Sequence, residues 1–479
     1  MSTSCAPSTA RDVQPRAIVV AVAVITAFFA AAGTFEHYTT DPVFPYVESE
    51  EEFLEELEED FGIDGSALAD LVREKDPLAI EAAFPRESYG PGMTVALRVW
   101  TKLDRVEIRL YRVGPERVRT VGNKEMQGVP MSARVSVGPI RRYGIVRLVL
   151  GDWPSGLYFA KLTAGGGRVG FAPFILRPER LGVHRAAVVL PTHTWQAYNL
   201  RDDDGDGRGD TWYADWSHLT ARLGRPYLNR GVPPHFRQYD LHFLHWLHWG
   251  GKRADILSQS ELDAVDDGRE LRLAYDLIVF PGHHEYVTER EYDAVERFRD
   301  LGGSLAFLSA NNFFWRIDIK GDAMLRIRKW RDLGRPEASL LGVQYRANDR
   351  GERRAPWLVR RVPAASWLFD GIRLQNGDEF GGAGIEIDAT THSSPAGTQV
   401  VAEIPNLFGP GFTGQMTYYE TRAGAKVFAA GAFSLAGGIR EPEVARLVQN
   451  LWRRLSPAAV DPRSAAVTRS LAWKRTVRP

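Results

Sequence analysis

Residues 275–310 read YDLIVFPGHHEYVTEREYDAVERFRDLGGSLAFLSA, and this stretch decides the predicted fold. Two short apolar runs, at 277–280 and 304–308, flank a segment that has helical periodicity and ends in two glycines. Thr288 and Glu291 have the spacing of a capping box, which places the start of the helix just after the PGHHEY turn. A strand, a helix and a second strand in this order are typical of a parallel sheet covered by helices.

The same organisation extends outward from this stretch. HRAAVVLP at 184–191 reads as a further buried strand, and the pattern continues towards residue 457. We therefore predict that residues 182–457 form an α/β domain with a mainly parallel sheet covered by helices. In such a sheet the PGHHEY turn lies at the carboxyl end of a strand, where ligands bind.

Residues 86–180 have a different pattern. Short segments such as MTVALRVW, VEIRLYRV and GLYFAKLTA alternate apolar and polar residues and are separated by turn residues. This alternation predicts an antiparallel β-sandwich of immunoglobulin-like type ahead of the α/β domain.

The two ends of the chain carry extensions. Arg11 and Arg16 precede an uncharged apolar run at 17–33, which predicts a signal peptide or a membrane anchor within residues 1–36. We therefore expect an exported protein, extracytoplasmic or membrane-anchored. Residues 37–85 are predicted to be an acidic helical linker, and 458–479 a basic, disordered tail.

Composition excludes several classes of function. The chain has 60 basic and 60 acidic side chains, so no net charge favours nucleic acid as a partner. The single cysteine, Cys5, falls within the predicted leader. The remainder of the chain therefore has no disulfide, no zinc-thiolate site and no cysteine nucleophile, although amidotransferase-like folds place such a cysteine on a strand-to-helix turn.

The PGHHEY turn is the sharpest cluster of reactive residues. It places His283, His284 and Glu285 together, and such a turn can hold a metal ion or transfer a proton. Alternatively, Glu285 caps or pairs structurally while the histidines bond to the backbone. Asn311 follows the next strand and can polarise a carbonyl, or it can simply satisfy a turn with positive φ.

Two tyrosines upstream are candidate ligands. Tyr198 lies in TWQAYN, after the first strand, and Tyr239 lies in FRQYD about forty residues later. Either can be a core residue, but a buried phenol needs a partner, and phenolate is a hard anionic donor suited to ferric iron.

The chain from about 184 to 455 resembles the large-subunit carboxy-terminal domain of the N,N-dimethylformamidase family. TWQAYN, YDLIVFPGHHEY, GGSLAFLSANNFFWR and AKVFAAGAFSLAGG occur in the family's order. The resemblance implies a mononuclear Fe³⁺ held by Tyr198, Tyr239 and Glu285. It also implies His283, Asn311 and Glu379 as catalytic residues. For residues 182–457 it implies a flavodoxin-like, mainly parallel α/β fold of the class I glutamine amidotransferase type.

The resemblance implies a metal-dependent hydrolase of a carbon–nitrogen bond in a small linear amide, assisted by a small partner subunit or by homo-oligomerisation. An alternative is a non-catalytic extracytoplasmic binding or scaffold module with a degenerate pocket. A third alternative, a glycan hydrolase, would pair Glu285 with Glu379 across a groove.

A separate acidic loop reads DDDGDGRGD at 202–210. Its carboxylates at Asp202, Asp204, Asp206 and Asp210 open a calcium-loop pattern, but Tyr213 stands where an EF-hand has its bidentate glutamate. A partial Ca²⁺ site is favoured over a solvated turn, because like charges this close repel without a cation.

Overall fold

A computed structural model of the chain describes residues 79–140, 142–214, 218–349, 353–360 and 362–456. The predicted leader with Cys5, most of the acidic linker and the basic tail lie outside these residues. Among the described helices, none is long and apolar enough to cross a membrane.

The first part of the described chain consists of two sheets around a shared core. Its strands are β1 (Glu81–Ala83), β2 (Ser88–Tyr89), β3 (Thr94–Thr101), β4 (Val106–Arg112), β5 (Val129–Pro130), β6 (Val135–Val137), β7 (Arg142–Val149), β8 (Gly156–Ala164) and β9 (Arg168–Leu176). One sheet has the order β1-β3-β7, and the other has the order β2-β9-β8-β4-β5 with β6 beside β4. Alternate residues of β3, such as Leu97 and Val99, are buried against residues of β4 and β8, as period-two alternation predicts.

The middle of the chain contains most of the helices. In order it forms β10 (Ala186–Leu190), α1 (Thr192–Ala197), β11 (Thr220–Arg222), α2 (Phe236–Tyr239), α3 (Leu241–Trp249), β12 (Asp255–Ser258), α4 (Gln259–Ala264), α5 (Gly268–Ala274), β13 (Leu277–Phe280), β14 (Tyr286–Thr288), α6 (Glu289–Asp300) and β15 (Ser304–Phe307). Helix α6 is the helix predicted from sequence, and the Thr288 hydroxyl accepts a hydrogen bond from the Glu291 backbone at its start.

The last part of the described chain is dominated by strands. It forms β16 (Trp315–Lys320), β17 (Ala323–Lys329), α7 (Ala338–Leu341), β18 (Gln344–Asn348), β19 (Arg354–Val359), β20 (Glu379–Ala389), β21 (Gln399–Ile404), β22 (Gly414–Glu420), β23 (Lys426–Ala429), β24 (Ala432–Phe433) and α8 (Pro442–Leu455). Short 3₁₀ helices occur at Gly165–Gly167, Trp330–Leu333 and Pro363–Phe369.

The largest sheet has eleven strands and is mixed. Its order is β12-β10-β13-β15-β23-β22-β21-β19-β20-β18, with β24 beside β20. Pairing is parallel from β12 to β23 and antiparallel from β23 to β18. The parallel strands β10, β13 and β15 are buried along their whole length, as strands covered on both faces require.

The prediction of a flavodoxin-like, mainly parallel α/β domain of the glutamine amidotransferase type is wrong. The protein consists mostly of β-sheets, and parallel pairing is confined to one part of a mixed sheet. Between residues 315 and 433 the described chain forms nine strands and a single four-residue α-helix. Parallel neighbours need long crossover connections, whereas several of these strands follow one another through short connections and most pair antiparallel.

The sheet topology gathers the segments that carry the candidate site residues. Strands β10, β13 and β15 are parallel neighbours, so the segments that follow them meet at one edge of the sheet. These segments are α1, residues 281–285 and residues 308–314. Strand β14 then leaves this edge to join a separate sheet of order β11-β17-β16-β14. Glu285 therefore lies where the two sheets meet.

Candidate functional site

The carboxylate of Glu285 is the centre of the candidate site. Its side chain is buried, and the phenol of Tyr198 donates a 2.8 Å hydrogen bond to Oε2. The Glu285 backbone N–H donates to Oγ1 of Thr194 in α1, at 3.1 Å. Helix α1 thus positions both the Glu285 backbone, through Thr194, and the phenol of Tyr198, which directly follows the helix.

Two further tyrosines, which the sequence analysis did not single out, belong to the same cluster. The Tyr213 phenol donates to both Glu285 oxygens, at 3.3 and 3.1 Å. It also shares a short hydrogen bond with the phenol of Tyr286, which accepts one from the Trp212 indole at 3.1 Å. All four of these side chains are buried. Three phenol oxygens and one carboxylate therefore form a continuous network.

Tyr239 lines a small cavity beside the cluster, together with Tyr198 and His283. The cavity has a volume of about 10 Å³ within reach of a water-sized sphere, and its lining residues are Pro191, Thr194, Trp195, Tyr198, Pro234, His235, Tyr239, Asp240 and His283. The ring of Tyr239 stacks on His235 and on Phe433, with centroids 5.2 and 5.0 Å apart. The structure thus brings Tyr198, Tyr239 and His283 to one cavity.

His283 lies between two buried carboxylates. Its Nε2 atom is 3.6 Å from Oε2 of Glu285 and 4.0 Å from Oε2 of Glu386, a residue of β20. Burial, and then the neighbouring His235 and His284, hold the pKa of His283 well below its usual range. The imidazole is therefore neutral at neutral pH, and its environment differs from the unperturbed histidine that sequence reasoning assumed.

Glu379 is placed away from this cluster. It lies at the exposed start of β20, opposite Leu358 of β19, whereas Glu386 on the same strand is buried beside His283. The structure consequently does not bring Glu379 together with Glu285, as the glycan hydrolase alternative requires. Glu386 is the carboxylate of this strand that reaches the site.

Asn311 lies on the third of the converging segments. His283 donates a hydrogen bond to its backbone carbonyl, and the Asn311 backbone N–H donates to both oxygens of Asp388, at 3.0 and 3.2 Å. Asn311 has a φ of 49° and Phe313 a φ of 61°, both in the left-handed region that non-glycine residues rarely adopt. Burial raises the pKa of Asp388 to about 7. The Asn311 side-chain oxygen is buried without a hydrogen-bond partner.

His284 has a structural environment. Its ring nitrogens lie 3.1 and 2.9 Å from the carbonyl oxygens of Gly282 and Val189, and its backbone N–H donates to the Asn312 side chain. Of the two adjacent histidines, His283 is therefore the one that faces the cavity.

The acidic loop lies between the two tyrosines that contact Glu285. Carboxylate oxygens of Asp202, Asp204 and Asp210 lie within 4.8 Å of one another, and Asp206 is not part of that group. Asp202 also accepts hydrogen bonds from the backbone N–H groups of Gly205 and Gly207. The loop leads directly into Thr211, Trp212 and Tyr213, so its conformation helps to position Tyr213.

The buried oxygen atoms around Glu285 indicate the class of site. On deprotonation of the phenols, the phenol and carboxylate oxygens would form a hard, anionic donor set of the kind that favours a hard cation. A neutral imidazole and an unpartnered amide oxygen lie beside it, and both can contact a polar substrate. The donor set fits a mononuclear metal ion bound by oxygen ligands.

The chain belongs to the N,N-dimethylformamidase beta subunit-like, C-terminal family, whose model matches residues 147–447. It is similar to the N,N-dimethylformamidase beta subunit of Alcaligenes sp, with 28% identity over 184 residues that cover 36% of this chain and 24% of that protein. It is also similar to the beta subunit of Paracoccus aminophilus, with 25% identity over 319 residues that cover 53% of this chain and 41% of that protein. The chain thus spans less than half the length of either relative.

Solved structures resemble only a small part of the chain. A superoxide reductase (neelaredoxin) from Ignicoccus hospitalis matches 21% of this chain and 81% of its own, at 16% identity and a TM-score of 0.15. So low a score carries no argument about fold or function.

Proposed function

We propose that the protein hydrolyses the carbon–nitrogen bond of a small linear amide at the Glu285 site. Membership of the dimethylformamidase-like family supports an amide hydrolase. The observation that carries the assignment to this site is the 2.8 Å hydrogen bond between Tyr198 and Glu285, beside a cavity that Tyr239 and His283 also line.

The proposal includes a ferric ion held by Tyr198, Tyr239 and Glu285. Three anionic oxygen ligands would balance the charge of such an ion, and Tyr213 would hydrogen-bond to the carboxylate of Glu285 from the protein side. When bound, the ion would supply Lewis acidity towards the amide carbonyl and lower the pKa of a coordinated water.

The remaining residues of the site have roles that follow from their positions. His283 would accept a proton from water only where the charge that forms is stabilised, and Glu386, 4.0 Å from its Nε2 atom, would supply that stabilisation. The Asn311 side-chain oxygen would accept a hydrogen bond from the leaving nitrogen, because it has no hydrogen-bond partner among the described residues. The walls formed by Trp195 and Pro234 would exclude bulk water from the cavity.

We also propose that the protein is exported, that it associates with a second subunit and that it binds Ca²⁺. The leader lies outside the described residues, so the proposal of an extracytoplasmic enzyme rests on its sequence pattern. Both relatives are named as beta subunits, which supports a proposal that a second subunit accompanies this chain. Calcium bound by Asp202, Asp204 and Asp210 would rigidify the loop before Tyr213.

Elemental analysis together with visible absorption of the purified full chain tests the proposal. Tyrosinate bound to ferric iron gives a visible charge-transfer band, so we expect about one iron per chain, that band, and release of an amine from small amides. A colourless protein that takes up no iron on aerobic loading and hydrolyses no amide would contradict the proposal. The non-catalytic binding module would then be the better description.

A further inference from the structure

A second cavity lies at the junction between the first two sheets and the mixed sheet. It opens to solvent and has a volume of about 30 Å³ within reach of a water-sized sphere, and Phe84, Leu157, Ile175 and Trp195 contribute apolar walls. Trp195 also lines the cavity of the candidate site. One indole side chain therefore belongs to both cavities. We call this second cavity the junction cavity.

Glu87 gives the junction cavity an unmatched hydrogen-bond acceptor. Its side chain is 8% exposed and lies in the cavity wall. The hydroxyl of Ser260 donates to Oε2, whereas Oε1 is buried and accepts no hydrogen bond. A buried carboxylate oxygen without a donor is unfavourable. A ligand that brings an N–H group into the cavity would remove that penalty.

Two of the residues that line the junction cavity, Arg86 and Arg225, are cationic, but neither pairs with Glu87. Within the described residues, no lysine or arginine nitrogen lies within 4.0 Å of its carboxylate. Arg225 donates instead to the backbone carbonyls of Gln196, Asn199 and Arg201, and it lies 3.5 Å from Asp203. Arg86 is exposed to solvent, where its charge is screened.

The groups closest to Glu87 do not donate a hydrogen bond to its Oε1. Burial and the charge of Glu87 raise the pKa of the Tyr227 phenol, which therefore stays protonated. Fully buried His193 lies 3.8 Å from Glu87 and 3.8 Å from Glu291, and neither of its ring nitrogens has a hydrogen-bond partner among the described residues. Burial raises the pKa of Glu291 well above its usual range, so that carboxyl is neutral.

We propose that the junction cavity binds a small protonated alkylamine, such as dimethylammonium. Its N–H donates to Oε1 of Glu87, and its methyl groups contact Phe84 and Trp195. A charge-assisted hydrogen bond to a buried carboxylate is stronger than a neutral one, and alkylammonium groups bind favourably against aromatic faces.

An amine is also the co-product when water cleaves the carbon–nitrogen bond of an amide. The identification of the junction cavity as a site for the product amine rests on the proposed function. The binding of the amine does not, because it depends only on Glu87 and the apolar walls.

Calorimetric titration of the purified full chain with dimethylammonium chloride, together with crystal soaks, tests the proposal. We expect electron density in the junction cavity with its nitrogen at hydrogen-bond distance from Glu87 Oε1. Glu87→Gln should weaken binding by roughly tenfold or more. Glu81→Gln removes a nearby carboxylate that is ion-paired with Arg201 and should leave the affinity unchanged. Tetramethylammonium, which has no N–H, should bind the natural protein more weakly than dimethylammonium.

Water alone in the cavity at saturating amine, or equal affinity in the natural protein and Glu87→Gln, would overturn the inference. If Glu87→Gln does not fold, the comparison between the two ammonium ions decides, and equal affinity for both overturns it. If the amine binds but no amide is hydrolysed, the proposed function and the product role are wrong, whereas the amine site stands. If amides are hydrolysed but no amine binds in the cavity, only the present inference is wrong.

Discussion

Tyr198 and Glu285 are 87 residues apart in the chain, and a 2.8 Å hydrogen bond joins the phenol to the carboxylate. Tyr198 follows the helix after β10, and Glu285 follows β13, the parallel neighbour of β10. The carboxyl ends of parallel neighbours lie at the same edge of a sheet. The pair therefore results directly from the parallel part of the mixed sheet.

Replacing Tyr198 by phenylalanine should remove a metal ligand while leaving the fold intact. We expect iron content to fall, the visible charge-transfer band to be lost, and amide hydrolysis to drop by roughly a hundredfold or more. Loss of the phenol's hydrogen bond should cost only about 1 kcal/mol of unfolding free energy. Metal analysis, absorption spectra and thermal unfolding measure these three effects.

Tyr158→Phe is the matched control for Tyr198→Phe. Tyr158 is equally buried, and its phenol donates a single 2.7 Å hydrogen bond to the backbone of Pro154 in the first part of the chain. This variant should lose similar stability but keep its iron and its activity. Iron retention in Tyr198→Phe equal to that in Tyr158→Phe would show that Tyr198 is not a ligand.

Two glutamates of β20 should differ sharply in their effect on activity. Glu386 is buried 4.0 Å from Nε2 of His283, whereas Glu379 is exposed. We expect Glu386→Gln to reduce kcat by roughly a hundredfold, because an imidazolium at His283 loses its stabilising charge. Glu379→Gln should retain normal kcat. Steady-state kinetics across pH distinguish the two, and a loss of activity confined to Glu379→Gln would contradict the placement of Glu386 in the site.

Local patterns predicted individual elements well and their assembly poorly. The helix at Glu289–Asp300 and the buried strands β10, β13 and β15 have periodicities that neighbouring residues determine. Period-two alternation does not specify which partner a strand takes. Strand β19, for example, pairs with both β20 and β21. The antiparallel half of the large sheet could therefore not be predicted from these patterns, and the fold was assigned to the wrong class.

The residues of the candidate site could likewise be predicted only in part. Tyr198, Tyr239 and His283 line one cavity, and Tyr198 and His283 also lie against Glu285. Tyr213 and Glu386 were missed because they come from an irregular loop and from the antiparallel half of the sheet. One signal for Tyr213 was present in the sequence. The pair Trp212-Tyr213 directly follows the acidic loop and is fully buried, although such loops are usually polar and exposed.

Asp388 should make the stability of the protein depend on pH. Its folded-state pKa of about 7 lies above the value of 3.8 for an unperturbed aspartate, because the carboxyl is buried. Between these values the unfolded chain releases a proton that the folded chain keeps. The stability contribution is therefore complete below about pH 4 and is lost as pH rises towards 7.

Asp388→Asn removes this titration, and we expect a flatter dependence of the unfolding free energy on pH between 4 and 7. The difference from the natural protein should reach on the order of a few kcal/mol. Denaturant unfolding of metal-free protein at several pH values measures it. Asp152→Asn, which replaces an exposed carboxyl, should leave the dependence unchanged, and an equal slope in Asp388→Asn and the natural protein would contradict the prediction.

Calcium should stabilise the acidic loop through three of its four predicted carboxylates. Oxygens of Asp202, Asp204 and Asp210 lie within 4.8 Å of one another, whereas Asp206 is outside that group. Added Ca²⁺ should therefore raise the Tm of the natural protein, because a ligand that binds only the folded state stabilises it. Asp204→Asn should abolish the increase and Asp206→Asn should retain it, since both replace exposed carboxylates of the same loop. Tm values that do not respond to Ca²⁺, or that respond equally in the two variants, would show that the three carboxylates do not form a calcium site.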